Sequence, residues 1–439
     1  MRRIIPVSFR LAVIPLALCL AHSLAAQDFE QEPISYSKTD PNDRVTRLIE
    51  QLQNGEKKLP FDPQFGYLKP LLKELDIPES SQTLVFSKTS LQRQRIAPKT
   101  PRALYFNDDT YVGYCQDGEV LEITAVDPQL GAVFYAIDQT DDGRPRIVRE
   151  TDNCLICHGS SQTKNVPGFV VRSLYVNRTG LPLLSEGTHR IDQTSPIENR
   201  WGGWYVTGQH GEQKHLGNLV VETREVPRDL DLSPNMNLTD LGDRFDKSEY
   251  LTPHSDLIAL MVLEHQANAH NYITAANYGV RQAMHYQAAL NRELKQPEDQ
   301  LWDSTKSRIK SVCEPLVEYL LFSEEARLIA RMEGTSGFAE EFSKQGPRDS
   351  KGRSLRDFDL EKRIFKHPCS YLIYSDHFQQ LPAEAKEYVF RRMHEVLTGA
   401  DKSKAFEHLS DEDRTAIREI LLETLPDLPD YWKAAPQES

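Results

Sequence analysis

Short apolar runs alternating with polar residues mark the first half of the chain. Thr83-Leu84-Val85-Phe86, Ala103-Leu104-Tyr105-Phe106, Thr110-Tyr111-Val112-Gly113-Tyr114, Val120-Leu121-Glu122-Ile123-Thr124 and Ala132-Val133-Phe134-Tyr135-Ala136 carry the β-branched and aromatic content of strands. Asn107-Asp108-Asp109 and Gln116-Asp117-Gly118 supply turn chemistry between them. The pattern predicts strands and turns from Leu59 to about Val226, including Arg146–Arg149, Gly168–Val176, and a hairpin of Trp204–Thr207 with Leu216–Val221 around Gly208–Lys214. Near residue 250 the period changes. Ser255 is an N-cap candidate before Leu257, Ile258, Leu260 and Met261, and the helix it opens runs to about Leu294 with Gly279 as a weak point. Further helices fit 301–332, 383–398 and 411–424, with a long loop over Gly334–Arg356. The fold class is therefore α+β: a strand-rich region over 27–235 and a mainly helical one over 236–439. Pro227, Pro234 and Pro253 suit a linker around 228–252, and two intimately packed halves fit equally well.

The N-terminus sets the compartment. Arg2, Arg3 and Arg10 precede an apolar stretch from Leu11 to Ala21, followed by small residues at Ser23, Ala25 and Ala26. This is the layout of a secretory signal peptide over residues 1–26. Pro15 interrupts the apolar run, which is shorter than the roughly 20 residues a membrane span needs. No later segment approaches that length, so the expectation is a periplasmic or otherwise exported protein with no transmembrane span after cleavage.

Composition narrows the partners. Over 439 residues the net charge is −13, and it becomes more negative once the three N-terminal arginines leave. An acidic surface repels phosphate backbones, which excludes nucleic acid as a natural partner.

The cysteines carry the chemistry. Of six, Cys19 leaves with the signal, and Cys115, Cys154, Cys157, Cys313 and Cys369 remain. Two of these sit in Cys154-Leu155-Ile156-Cys157-His158, the C-x-x-C-H pattern of covalent c-type haem attachment. Two thiols three positions apart on one turn of backbone each form a thioether to one porphyrin edge. The adjacent imidazole supplies the axial nitrogen. Asp152 and Asn153 are N-cap candidates for a short helical turn that Gly159, Ser160 and Ser161 end quickly. Two other chemistries use the same residues. A reversible dithiol needs a strand before the motif, which Arg146–Arg149 offers, and a long helix after it, which Gly159–Pro167 forbids. A zinc site would join Cys154 and Cys157 to His210 and His215, although the intervening span is much longer than in compact zinc modules. Cys313 and Cys369 either form a disulfide, leaving Cys115 free, or all three are packed thiols.

The five-residue motif resembles the haem-attachment site of c-type cytochromes. The stretch Arg200-Trp201-Gly202-Gly203-Trp204-Tyr205-Val206-Thr207-Gly208, with His210 and His215, is similar to a group of large exported bacterial monohaem cytochromes. That resemblance implies one covalent haem c on Cys154 and Cys157, with His158 on the iron, and no particular activity. Small cytochromes c are all-helical and usually add a methionine some tens of residues downstream; here strand-like sequence flanks the motif and residues 159–235 contain no Met.

A sixth ligand is then sought among histidines. His189, His210 and His215 follow the motif, with Trp201, Trp204 and Tyr205 available to wall a porphyrin. His265 lies on a helical face with Ile258, Val262, Ala269, Tyr272 and Ala276. His215 or His265 is the expected distal ligand, and the sequence does not separate them. Two strong ligands make a one-electron carrier serving a redox partner protein or a small-molecule donor or acceptor. An open sixth position instead makes a peroxidase-like redox enzyme, with His210, His215, His265, Arg190, Arg200 and Glu264 available as acid, base or cation. A third class, a helical docking or sensory module read out by the haem, is also open.

Overall fold

The structure is a computed structural model that describes residues 28–433 other than 142, 144 and 224. The segment read as a signal peptide lies outside the described residues. In chain order the helices are α1 (Arg44–Gln53), α2 (Leu68–Glu74), α3 (Asn153–His158), α4 (Leu257–Glu293), α5 (Asp303–Leu320), α6 (Phe338–Ser343), α7 (Asp376–Gln379), α8 (Ala383–Leu397) and α9 (Asp411–Thr424). The strands are β1 (Thr83–Val85), β2 (Arg102–Phe106), β3 (Thr110–Tyr114), β4 (Val120–Asp127), β5 (Gly131–Asp138), β6 (Ile147–Glu150), β7 (Arg172–Ser173) and β8 (His189–Arg190). The α+β expectation holds: an antiparallel sheet fills the N-terminal half and helices dominate the C-terminal half.

Strands β1 to β6 form one meander in which every neighbour in sequence is a neighbour in space. The register alternates two faces. One face, with Ala103, Tyr105, Val112, Ile123 and Tyr135, is buried under α1, α2 and the N-terminal segment. Tyr36 donates to the carbonyl of Ala132 at 2.8 Å, and Asp43 caps α1 while accepting from the Tyr135 hydroxyl at 2.5 Å. The other face is split. Phe106, Tyr111 and Val126 pack toward α4, whereas Arg102, Leu104, Glu122, Thr124, Ala136 and Val148 remain half-exposed or exposed. The segment around Leu68 thus folds as a helix where strand was expected, and α1 is an element the pattern does not predict.

Helix α4 is buried almost all round, as a central helix must be. Its N-cap is Asp256, whose carboxylate accepts from the amides of Ile258 and Ala259, one residue later than expected. Ser255 is occupied elsewhere, donating to the Tyr205 carbonyl at 2.6 Å and accepting from the Leu84 amide at 2.9 Å. Gly279 does not weaken the helix: a Cβ there would stand 2.6 Å from Val312, so glycine lets α5 lie close. Helix α5 ends at Leu320 rather than near 332, because Phe322 and Glu324 take left-handed backbone angles (φ 58° each). The 334–356 loop contains α6. No helix among the described residues is long and apolar enough to cross a membrane.

The hairpin expected from Trp204–Thr207 and Leu216–Val221 does not form. Tyr205 donates to Leu84 and Thr207 to Ser255, while left-handed Trp201 (φ 67°), Gly203 and Asn218 bend the chain away from a ladder. Likewise only Arg172 and Ser173 of the 168–176 segment are strand, paired with β8. One hydrophobic core runs from Val85 and Trp201 through α4 to Trp432, so the two halves are packed on each other.

This packing weakens the protein in acid. His210, His215, His265, His270 and His377 are all buried, and burial lowers each below the ordinary imidazole range, His215 and His265 to about 3. The unfolded chain takes up a proton at each near pH 6.5 that the folded chain refuses. Stability is therefore complete above that pH and is lost as the pH falls below it, by up to about 1.4 kcal/mol per pH unit per histidine. Thermal melts at pH 7.5 and pH 5 are expected to differ by roughly 10 °C; a flat profile would refute the neutral assignments.

Candidate functional site

Helix α3 begins directly after β6 and lasts a turn and a half. Gly159 caps it, its amide donating to the Leu155 carbonyl at 2.9 Å, and the Asp152 side chain makes no cap bond. Leu155 is buried and pins the helix into the N-terminal core. The next two positions point outward: Ile156 is 74% exposed and Cys157 is exposed, with Cys154 half-buried behind them. A single helical turn thus presents two unpaired thiols along one edge, ending in His158.

The orientation of His158 follows from its partner. Its Nδ1 lies 2.8 Å from the carbonyl oxygen of Gly168, which only accepts, so Nδ1 carries the proton and Nε2 the lone pair. The Gly168 amide returns a bond to the His158 carbonyl at 2.8 Å. Burial pushes the imidazole pKa down, helped by the positive charges of Arg102 and Arg172 and opposed by the Gly168 hydrogen bond and the charge of Glu122, so the ring is held neutral. A neutral imidazole with a hydrogen-bonded Nδ1–H and a free Nε2 is the form that ligates iron.

Beside the motif lies the open part of the sheet. The His158 ring packs on Phe134 at 5.1 Å between centroids, and the charges of Glu122 and Arg102 act on both His158 and Cys154. Arg102, Glu122 and Phe134 share one sheet face with Gly113 and Ala136. The Arg102 guanidinium lies over Gly113, where an added Cβ would push it aside. Arg102 pairs with Glu122 at 2.5 Å, and Ser90 and Gln92 also reach that carboxylate. Two sulfurs and a basic imidazole nitrogen on one helical turn are the donor set of haem c.

The competing chemistries fit less well. A reactive dithiol requires a thiol of lowered pKa, but burial and the nearby Glu150 and Glu122 carboxylates raise Cys154 to about 11. For zinc, no group of three or more ligating side chains is assembled among the described residues. His210 and His215 have also committed their lone pairs, His210 Nε2 accepting from the Asn237 amide and His215 Nδ1 from the Gly217 amide, both at 2.9 Å.

The remaining candidates fall into separate places. His189 and Arg190 lie exposed on β8, Arg190 donating to the Gln162 carbonyl. His215 is buried against Trp201 and His210. His265 is buried beside Tyr319 and Phe322 with both nitrogens engaged, Nδ1 by Gln193 at 2.5 Å and Nε2 by Ser370 at 2.8 Å. No hydrogen bond or ring contact joins His215 or His265 to His158 among the described residues. Arg200 and Glu264 form a fully buried ion pair at 2.8 Å, and Trp201 Nε1 donates to the same carboxylate at 2.6 Å. Cys115, Cys313 and Cys369 are unpaired and buried, and burial raises all three thiols, the first two to about 12.

Sequence reasoning missed Gly168 and the α4 residue behind it, Asn271. The available signal was the run of polar side chains between Glu264 and Asn277, all buried in the middle of an otherwise apolar helix wherever they are Asn, Gln, His or Thr. No family model, curated protein or solved structure matches this chain.

Proposed function

We propose that this protein carries one covalent haem c on Cys154 and Cys157, with His158 as axial ligand, and transfers single electrons in an exported compartment. The observation that carries the reading is the His158 tautomer: the Gly168 carbonyl takes the Nδ1 proton and leaves Nε2 as the lone pair beside two adjacent thiols. The haem supplies a one-electron iron couple. The chain's part is to hold the imidazole neutral and aimed and to keep the attachment edge near solvent. Exposed Ile156, between the two cysteines, leaves that edge open to a partner protein or small molecule.

The test is maturation in a periplasm equipped for haem attachment. The purified protein is expected to gain the mass of one haem and to give a pyridine haemochrome spectrum, and the Cys154→Ala/Cys157→Ala variant to keep its bare mass. A wild-type protein of bare mass without Soret absorption overturns the reading.

A second reading, a haem-dependent redox enzyme with an open sixth position, draws on one observation: the lone pairs of His215 and His265 are already engaged within the fold. Cyanide separates the two. Ferric low-spin bands that ignore it belong to an electron carrier, and bands that shift belong to an open iron.

A further inference from the structure

We infer that Asn271, on the central helix of the C-terminal half, is a positioning residue for the axial histidine and tunes the haem it holds; this rests on the haem reading above. The link is a continuous run of hydrogen bonds. Asn271 Oδ1 accepts from the Phe169 amide and Asn271 Nδ2 donates to the Phe169 carbonyl, each at 2.8 Å. This two-point clamp fixes the Gly168–Phe169 peptide. Gly168 in turn bonds His158 twice, through its amide and through the carbonyl that takes the Nδ1 proton.

The fit leaves little play. A Cβ on residue 168 would stand 2.2 Å from Asn271 Oδ1, so only glycine brings this peptide against the helix. The Asn271 side chain is buried, and both ends of its amide serve the backbone of this one loop. On the far side, the Phe169 ring rests on Tyr111 and His270 at 4.5 and 5.8 Å, so the peptide is held from sheet and helix together. A firm carbonyl acceptor strengthens the Nδ1–H bond, makes the imidazole a more basic ligand, and favours ferric over ferrous iron. Loss of the clamp should therefore weaken that bond and raise the reduction potential.

Two readouts on the full chain test this. Before haem attachment, nitrogen NMR of His158 reads the tautomer directly. Wild type is expected to hold the Nδ1–H form, Asn271→Leu to mix both tautomers with Nδ1–H exchange at least tenfold faster, and Asn271→Asp, which keeps the acceptor for the Phe169 amide, to lie between them. After attachment, Asn271→Leu is expected to show a higher midpoint potential than wild type. Asn277→Leu is the control for mere loss of stability: it sits on the same helix and donates to the Pro128 carbonyl, so it should change neither readout. If Asn271→Leu loads haem with unchanged potential and unchanged Nδ1–H exchange, the inference falls while the haem reading stands. If no haem attaches but the tautomer responds to Asn271, the positioning role stands and the haem reading falls.

Discussion

His158→Ala is expected, on the haem reading proposed above, to shift the Soret and visible bands of the haem-loaded protein and to leave the fold almost intact. The side chain makes one hydrogen bond, to Gly168, and one ring contact, to Phe134. Losing a single half-buried hydrogen bond costs about 1 kcal/mol, small beside the roughly 5–15 kcal/mol that separates folded from unfolded domains. The bands shift because no hydrogen bond or ring contact brings another described histidine to this position. Added imidazole should restore the wild-type bands, since truncating the side chain leaves room under the Gly168 carbonyl for a free ring. Unchanged Soret and visible bands in the variant would show that another residue holds the iron.

Arg200→Met is expected to destabilise the protein strongly. Arg200 is 2% exposed and Glu264 fully buried, and the guanidinium serves Glu264, Gln193 and Ser195 together. Removing the cation strands a carboxylate in the core, which costs about 3–5 kcal/mol. Burial already lifts Glu264 to about 7 despite Arg200 and the Trp201 N–H. With the cation gone its pKa rises further, so the variant loses stability as the pH rises through that value and recovers part of it on acidification. This is opposite in sign to the histidine effect in the parent. Adding Glu264→Gln removes the stranded charge, and urea melts should show the double variant more stable than Arg200→Met alone. A double variant less stable than either single would mean the pair is held by something other than charge.

How much of this was legible depended on whether local chemistry decided the outcome. The strands from Thr83 to Ala136 were readable because period-two alternation and Asn/Asp/Gly turns agree, and a meander needs only neighbouring strands to pair. The short helix of the Cys154–His158 motif was readable because Gly159, Ser160 and Ser161 follow one another directly after it, a cluster that stops a helix where a single glycine such as Gly279 does not. The Trp204–Val221 region failed for the opposite reason: its backbone partners, Leu84 and Ser255, are far along the chain, and no local pattern encodes them. His265 shows the same limit. Its helical spacing was right, but whether its nitrogens are free depends on Gln193 and Ser370, which arrive from other segments. Asn271 could not be singled out because it is one of several polar residues between Glu264 and Asn277, and nothing local tells which of them clamps a loop from elsewhere.

The meander ending in α3 has one last consequence, for the order of events during biogenesis. The sheet and both thiols come from a contiguous stretch in which each strand pairs with its neighbour in sequence, so loop closure costs little and that part organises early. Asn271 follows more than a hundred residues later on a helix that must first dock. In a chain growing from its N-terminus the sheet and the two thiols of α3 are thus in place before Asn271 arrives, and the loop that holds His158 is clamped only when the second half closes over the first.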